Sequence, residues 1–325
     1  MKRDKFSVIV TLGPGIMNPK KLKTIDSYGN CLYRINGAHV DSDLVPDMIS
    51  QVREIIPDAE LIVDLPGNKI RTKNLPEPIR LIKGETFELF HYQVNYPDFY
   101  KHIKKGDIIV ANDSLCNMEV VDICNSRIKI LSNSDGLLSN NKGLHVQEVH
   151  SNIPFMFDTD IKLIDSACKH NVDYLSLSFV RTADDIKTAK KLIFSHPQKK
   201  IKIIAKIETA AAVKNIQLIL REVDIINVDR GDLSSEIGIM KMPPTQEFII
   251  KEALSCDKKI FLATQILKNM EDFPLPFISE ITDLYKNIRM GITGVQLSEE
   301  TAIGKYATEC VKLIFDSFEE YKVSI

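Results

Sequence analysis

KIIAKIETAAAV, residues 202–213, begins as core and stops in charge: Ile203, Ile204 and Ala205 are followed by Lys206 and, two residues later, Glu208. In a strand that spacing puts both side chains on one face. A lysine and a glutamate on the inward face of a buried strand must pair or bind a metal, because an isolated buried charge is very costly. The placement of this pair depends on what surrounds the strand. Seven further apolar runs answer that: FSVIVTLG (6–13), CLYRING (31–37), ELIVDLPG (60–67), VDYLSLSF (172–179), VDIINVDRG (223–231), KIFLATQ (259–265) and TGVQLSE (293–299). Most are near-continuous in Ile, Val and Leu, as parallel strands covered on both faces are.

The segments between the runs read as helices. NPKKLKTIDSYGN offers Asn18 as a cap, Pro19 at the first helical position and Gly29 as a stop, and 184–194 and 278–290 have helical spacing. Eight such pairs predict an α/β fold, a (β/α)8 TIM barrel over 1–72 and 146–325. The rhythm breaks at 73–145, where FELFHYQV, GDIIVAND, NMEVVDI and RIKILS are separated by Gly, Asn, Asp and Ser. They predict a small antiparallel β lid domain inserted after strand 3, on the face where barrel active sites open.

The 325 residues are 44% hydrophobic and 26% charged, with a net charge of −2. That is ordinary globular composition, and it asks for no nucleic-acid or membrane partner. MKRDKFSVIV lacks the apolar run of a secretory signal, and no stretch of about 18 apolar residues occurs. The six cysteines are scattered with no CxxC pair, which predicts free thiols, a cytoplasmic location and no cysteine zinc site. The basic run QKKIK (198–202) reads as a solvated loop, and the seven histidines as surface or satisfied groups, with only His39 near a strand end.

Barrel active sites draw on the C-terminal ends of the strands. Those ends carry Thr11 to Pro14, Arg34 and Asn36, Asp64 with Lys69 and Arg71 behind it, Ser178-Phe179, Lys206 and Glu208, Asp229 to Asp232, Thr264-Gln265, and Ser298 to Thr301. Glu208 and Asp232 could share one cation, and an oxygen-only set without histidine suits Mg²⁺ rather than zinc. Arg34, Lys69, Arg71 and Lys206 add positive charge to the same mouth, which suits a phosphate or other polyanion. Taken singly these residues are less specific: Lys206 and Glu208 could be a structural ion pair, Asp232 a loop cap, Thr264 a plain strand residue.

Read in order, VTLGPG (10–15), YRINGAH (33–39), VDLPGNKIRT (63–72), NKGL (141–144), LSFVRTADDI (177–186), IKIIAKIET (201–209), DRGDLSSEIG (229–238), FLATQILKNM (261–270) and LSEETAIGKY (297–306) resemble the pyruvate kinase family over nearly the whole chain. The resemblance implies that Glu208 and Asp232 bind a divalent ion, Mg²⁺ or Mn²⁺. It makes Lys206, Arg34 and Thr264 catalytic: Lys206 stabilises the phosphoryl group and the enolate oxygen, Arg34 holds the phosphate, and Thr264 lies in the chain that protonates the enolate carbon. Backbone N–H groups of Gly231 and Asp232 would hold a substrate carboxylate, with Ser178 and Phe179 on the substrate side. Pro14, Asn36, His39 and Arg71 would face a nucleotide.

The departures carry expectations too. At the family's potassium site this chain has Asn36, Ala38, Asp64 and Leu65, so two ligands are lost, and Lys69 stands where potassium-independent members carry lysine. Potassium is therefore expected to be dispensable. Pro66 and Asn68 replace a Lys and a Pro of the family pattern, and Glu299 stands where Gly is usual. Ser234 and Ser235 replace a small-apolar pair, and Asp229 adds a carboxylate beside the expected carboxylate pocket. The sequence ends after a helix expected over 306–321, where family members usually continue with a regulatory α/β domain. That implies a specialised paralogue without that regulation, with a homodimer as its candidate assembly. The function implied is phosphotransfer between phosphoenolpyruvate, or a related enol phosphate, and a nucleotide. The alternatives are a pyruvate-handling lyase, aldolase or mutase on the same scaffold, or a non-catalytic regulatory protein.

Overall fold

The computed structural model describes residues 6–111, 116–147, 149–195 and 200–323. The opening MKRDK, the end of IIVAND, His196 and residues 198–199 of QKKIK lie outside them. The eight apolar runs become β1 (Ser7–Thr11), β2 (Asn30–Asn36), β3 (Glu60–Asp64), β4 (Tyr174–Leu177), β5 (Lys202–Ile207), β6 (Ile225–Asp229), β7 (Lys259–Ala263) and β8 (Gly294–Leu297). They are parallel and close into a barrel, each strand beside its sequence neighbours, with β8 returning to β1. The outward residues meet the helices in one large core that includes Val8, Val63, Ala205 and Leu262.

The inward residues form layers. Ile9, Leu32, Ile62, Tyr174, Ile204, Ile225 and Phe261 make an apolar floor. Strand side chains alternate between faces, so the residues two positions further along each strand point inward above that floor. Those positions hold Thr11, Arg34, Asp64, Ser176, Lys206, Asn227 and Ala263, the next Asn36, Ser178, Glu208 and Asp229. A barrel closed below by hydrocarbon is therefore charged above by parity alone.

The first helix keeps its expected cap but not its expected stop. Asn18 caps Pro19–Asp26, accepting from the N–H groups of Lys20 (2.9 Å) and Lys21 (3.3 Å). Gly29 serves packing instead of helix termination: a Cβ there would run into the Phe315 ring. Helices cover Ala183–Phe194, Ile278–Met290 and Ala307–Val323, the last shifted slightly from 306–321.

The insertion is an antiparallel sheet ordered His145–Val146, Ile108–Ala111, Cys116–Cys124, Arg127–Ser132, Thr86–Phe90, with a smaller pair, Ile79–Leu81 and Gly136–Leu138. It encloses its own core around Leu89, Ile109, Met118 and Ile130. Asn125 and Ser126, both left-handed at φ 50° and 60°, form the tight turn that matches strand twist. FELFHYQV stops being a strand at Phe90, where His91–Gln93 winds into a 3₁₀ turn. Antiparallel pairing overruns both ends of 73–145: Arg71 bridges Gly143, Thr72 bridges Val94, and Val146 pairs with Ile109. The two crossings into the lid are thus laced together, with Thr72 N–H donating to Lys142 O (2.9 Å) and Leu144 N–H to Ile70 O (2.8 Å).

Two histidines are buried where the lid returns to the barrel. Desolvation lowers His145 to about 4, with Asp232 opposing and Lys69 assisting. It lowers His150 to about 3, helped by His145 and Lys69 and opposed by Asp232. A histidine depressed in the folded state binds fewer protons than its unfolded counterpart. Its stabilising contribution is complete above the unfolded value of 6.5 and is lost as pH falls through the folded value, here about 4 for His145. Imidazole carbon-bound proton signals followed by NMR are expected to show both rings neutral at pH 6, with midpoints well below that of a free histidine.

Candidate active site at the barrel rim

Lys206 sits at the centre of the charged layer. Its Nζ lies 2.6 Å from Glu208 Oε1, 3.2 Å from Asp229 Oδ2 and 3.8 Å from Asp64 Oδ2, with Ser178 Oγ at 3.4 Å. Burial alone would lower this ammonium; Asp64, Glu208 and Asp229 outweigh it and hold the pKa above the ordinary lysine range. Lys206 and Glu208 thus point the same way, by strand parity, and are in direct contact.

Arg34 is fixed by Asp64, its Nε at 2.7 Å and Nη2 at 2.5 Å from Oδ2, while Nη1 donates to Thr11 Oγ1 (2.8 Å). Burial opposes ionisation of Asp64, but Lys206 and Arg34 prevail and keep it a carboxylate below its usual range. Asp64 is thus held by two internal cations. Lys69 is placed elsewhere: its Nζ is 2.5 Å from Asp232 Oδ1 and 5.9 Å from the centre of the Phe179 ring.

Asp232 stands on the first turn of the helix Arg230–Ile237. Burial pushes its carboxyl up, but Lys69, Lys206 and Arg71 hold it at about 2. Glu208 accepts the Phe179 N–H at 2.7 Å, and burial drives its own carboxyl up against the pull of Lys206. One carboxylate oxygen from each of Glu208, Asp229 and Asp232 falls within 4.8 Å of the others. This oxygen-only group, part-open at Asp232, fits a hard divalent ion such as Mg²⁺. Asp229 joins Glu208 and Asp232 in the set, which the sequence reading had not included.

Asp229 also occupies the helix N-terminus. It caps the helix, its Oδ1 3.5 Å from Asp232 N and 3.4 Å from Thr264 Oγ1. Gly231 N–H donates to Thr264 Oγ1 at 2.9 Å. The N–H groups expected to receive a substrate carboxylate therefore face side chains of the protein itself. Thr264 (φ 66°), Gln265 (φ 53°) and Phe179 (φ 53°) adopt left-handed backbone at the ends of β7 and β4, a strain typical of functional loops. Arg230 supports the first two: its guanidinium donates to Thr264 O (3.0 and 2.8 Å) and Gln265 O (2.7 Å), and it pairs with Asp283. Sequence reading missed Arg230, whose signal was only its place inside Asp-Arg-Gly-Asp.

Of the residues expected on the nucleotide side, Arg71 and His39 contact the inserted segment. Asn36 Oδ1 accepts from Ala38 N–H (3.2 Å). Arg71 donates to Asn141 O (3.2 Å), and Asn141 approaches exposed His39 at 3.5 Å. Arg71, Arg34 and Lys142 reinforce burial in lowering His39, against Glu299. Pro14 is exposed on the neighbouring loop.

Comparison with known proteins identifies the barrel. A family model described as "Pyruvate kinase, barrel domain" matches residues 3–311. The chain is similar to the pyruvate kinase of Thermotoga maritima, at 31% identity over 94% of this chain and 69% of that protein. It is similar to that of Thermococcus litoralis, at 31% over 99% and 71%, and to that of Methanocaldococcus jannaschii, at 31% over 95% and 68%.

Proposed function

This chain belongs to the pyruvate kinase family, and from that premise we propose that it transfers a phosphoryl group between phosphoenolpyruvate, or a closely related enol phosphate, and a nucleotide. The observation that carries the reading is the buried Lys206 ammonium, 2.6 Å from Glu208 and inside a carboxylate group whose ligand atoms lie within 4.8 Å. Glu208 and Asp232 would hold Mg²⁺ or Mn²⁺, with Asp229 available as a further ligand. The ion, when bound, supplies the Lewis-acid charge that brings two anionic substrates together.

The chain's own residues do the rest. Lys206 offers a positive charge that burial has not removed, where negative charge develops on the phosphoryl group and enolate oxygen. Arg34, immobilised by Asp64 and Thr11, presents a preorganised guanidinium to the phosphate. Thr264, held by Gly231 and the Arg230-braced loop, keeps a hydroxyl beside the helix N-terminus for proton delivery. His39, Arg71, Asn36 and Pro14 line the side left for the nucleotide. The six cysteines form no disulfide, and among the described residues no helix is long and apolar enough to cross a membrane.

Incubating the protein with Mg²⁺, ADP and phosphoenolpyruvate and measuring ATP and pyruvate tests the reading. ATP formation is expected. Its absence, with metal-dependent enolisation of pyruvate retained, would overturn it in favour of lyase, aldolase or mutase chemistry. A second expectation concerns monovalent ions. Asp64 is already neutralised by Arg34 and Lys206, so turnover in sodium or Tris buffer should match that in potassium; strong stimulation by K⁺ would contradict it.

A further inference from the structure

A second group of metal-ligating side chains lies outside the phosphotransfer site, where the returning lid meets the barrel. Ligand atoms of His145, His150 and Glu236 all fall within 4.8 Å of one another, with His145 Nε2 3.6 Å from Glu236 Oε1. The three residues are only 8%, 1% and 5% exposed, and among the described residues neither His145 Nε2 nor His150 Nε2 has a hydrogen-bond partner. A buried polar atom left unpaired costs free energy and calls for an explanation.

The tautomer of His150 follows from its neighbours. Asn68 directs its Nδ2 to the carbonyls of His150 (3.2 Å) and Pro154 (3.0 Å), so its Oδ1 faces His150 Nδ1 (3.2 Å) as an acceptor. His150 Nδ1 must then carry the proton, and Nε2 presents a bare lone pair. Stacking on Phe179 at 4.4 Å holds the ring in place. A fixed imidazole whose far nitrogen is hydrogen-bonded to an oriented amide is the arrangement that prepares histidine for a metal. His145 comes from the strand His145–Val146 and Glu236 from the helix Arg230–Ile237, so two separate parts of the fold converge.

We propose that His145, His150 and Glu236 form a binding site for Zn²⁺, distinct from the divalent site of Glu208 and Asp232. Two imidazole nitrogens and one carboxylate select a borderline ion of the zinc type over Mg²⁺. Donors bound at about 2.1 Å to a tetrahedral zinc lie about 3.4 Å apart, close to the present His145–Glu236 separation. The fourth position is left for water. Because Glu236 is one turn along the helix from Asp232, an ion here ties the lid's return strand to the element that carries the catalytic-site carboxylate.

The test is zinc binding by the full chain in saturating Mg²⁺, measured by competition with a chromophoric chelator. One tightly held zinc is expected, weakened at least about tenfold by His145→Gln and by Glu236→Gln, and unaffected by Glu208→Gln. X-ray absorption of the zinc-loaded wild-type protein should show scattering from two imidazoles, a reading that needs no variant to fold. No zinc uptake, equal affinity in folded His145→Gln and Glu236→Gln proteins, or a zinc shell without imidazole would each overturn the proposal.

Discussion

Replacing Lys206 with methionine is expected to lower phosphotransfer by about a hundred- to a thousandfold, the loss typical of removing one preorganised charge from a developing anion. The same change should destabilise the metal-free protein. Lys206 is the shared partner of Glu208, Asp229 and Asp64, and deleting one member of a buried ion pair costs about 3–5 kcal/mol. The two effects separate by experiment. Added Mg²⁺ replaces positive charge beside Glu208, so it should restore much of the lost melting temperature and none of the turnover. A folded Lys206→Met protein with unchanged kcat would show that this lysine has no part in the chemistry.

The second large effect is expected at Asp229. Its carboxylate faces Asp232 N–H and the Thr264 hydroxyl and lies 3.2 Å from Lys206, the surroundings a carboxylate-bearing substrate would seek. Like charges that close repel strongly. Asp229→Ala should therefore lower KM for phosphoenolpyruvate by about tenfold or more, equivalent to ~1.4 kcal/mol or more. Loss of the helix cap costs about 1 kcal/mol of stability. Asp229→Asn keeps a capping oxygen and removes the charge, so it should reproduce the KM change with less destabilisation. If KM stays constant or rises in both variants, Asp229 assists substrate binding, and its place in the carboxylate set with Glu208 and Asp232 becomes its role.

The fold was readable because β-branched, near-continuous runs have few alternatives to parallel strands, and strand parity placed Lys206, Glu208, Arg34 and Asp64 on one surface. What could not be read is partnership across distant strands. Lys69 is 163 positions from Asp232, and its pairing there depends on how the lid crossings turn, not on any local pattern. Asp229 was visible as an extra carboxylate, and its cap contact with Asp232 N–H is local, but its contact with Thr264 spans 35 positions and depends on the left-handed end of β7. His145 and His150 looked like scattered histidines because their common neighbour, Glu236, comes from a different element. Asn68, seen only as a replaced proline, proved to set the tautomer of one of them.

The paired crossings at Ile70–Thr72 and Lys142–Leu144 behave mechanically as a strap, not as two loose tethers. Lys69 is the residue at the root of that strap, and its methylene chain packs so tightly on Gly143 that a Cβ there would lie 2.5 Å from Cε. A displacement of the inserted sheet that carried Gly143 with it would therefore also shift the ammonium paired with Asp232.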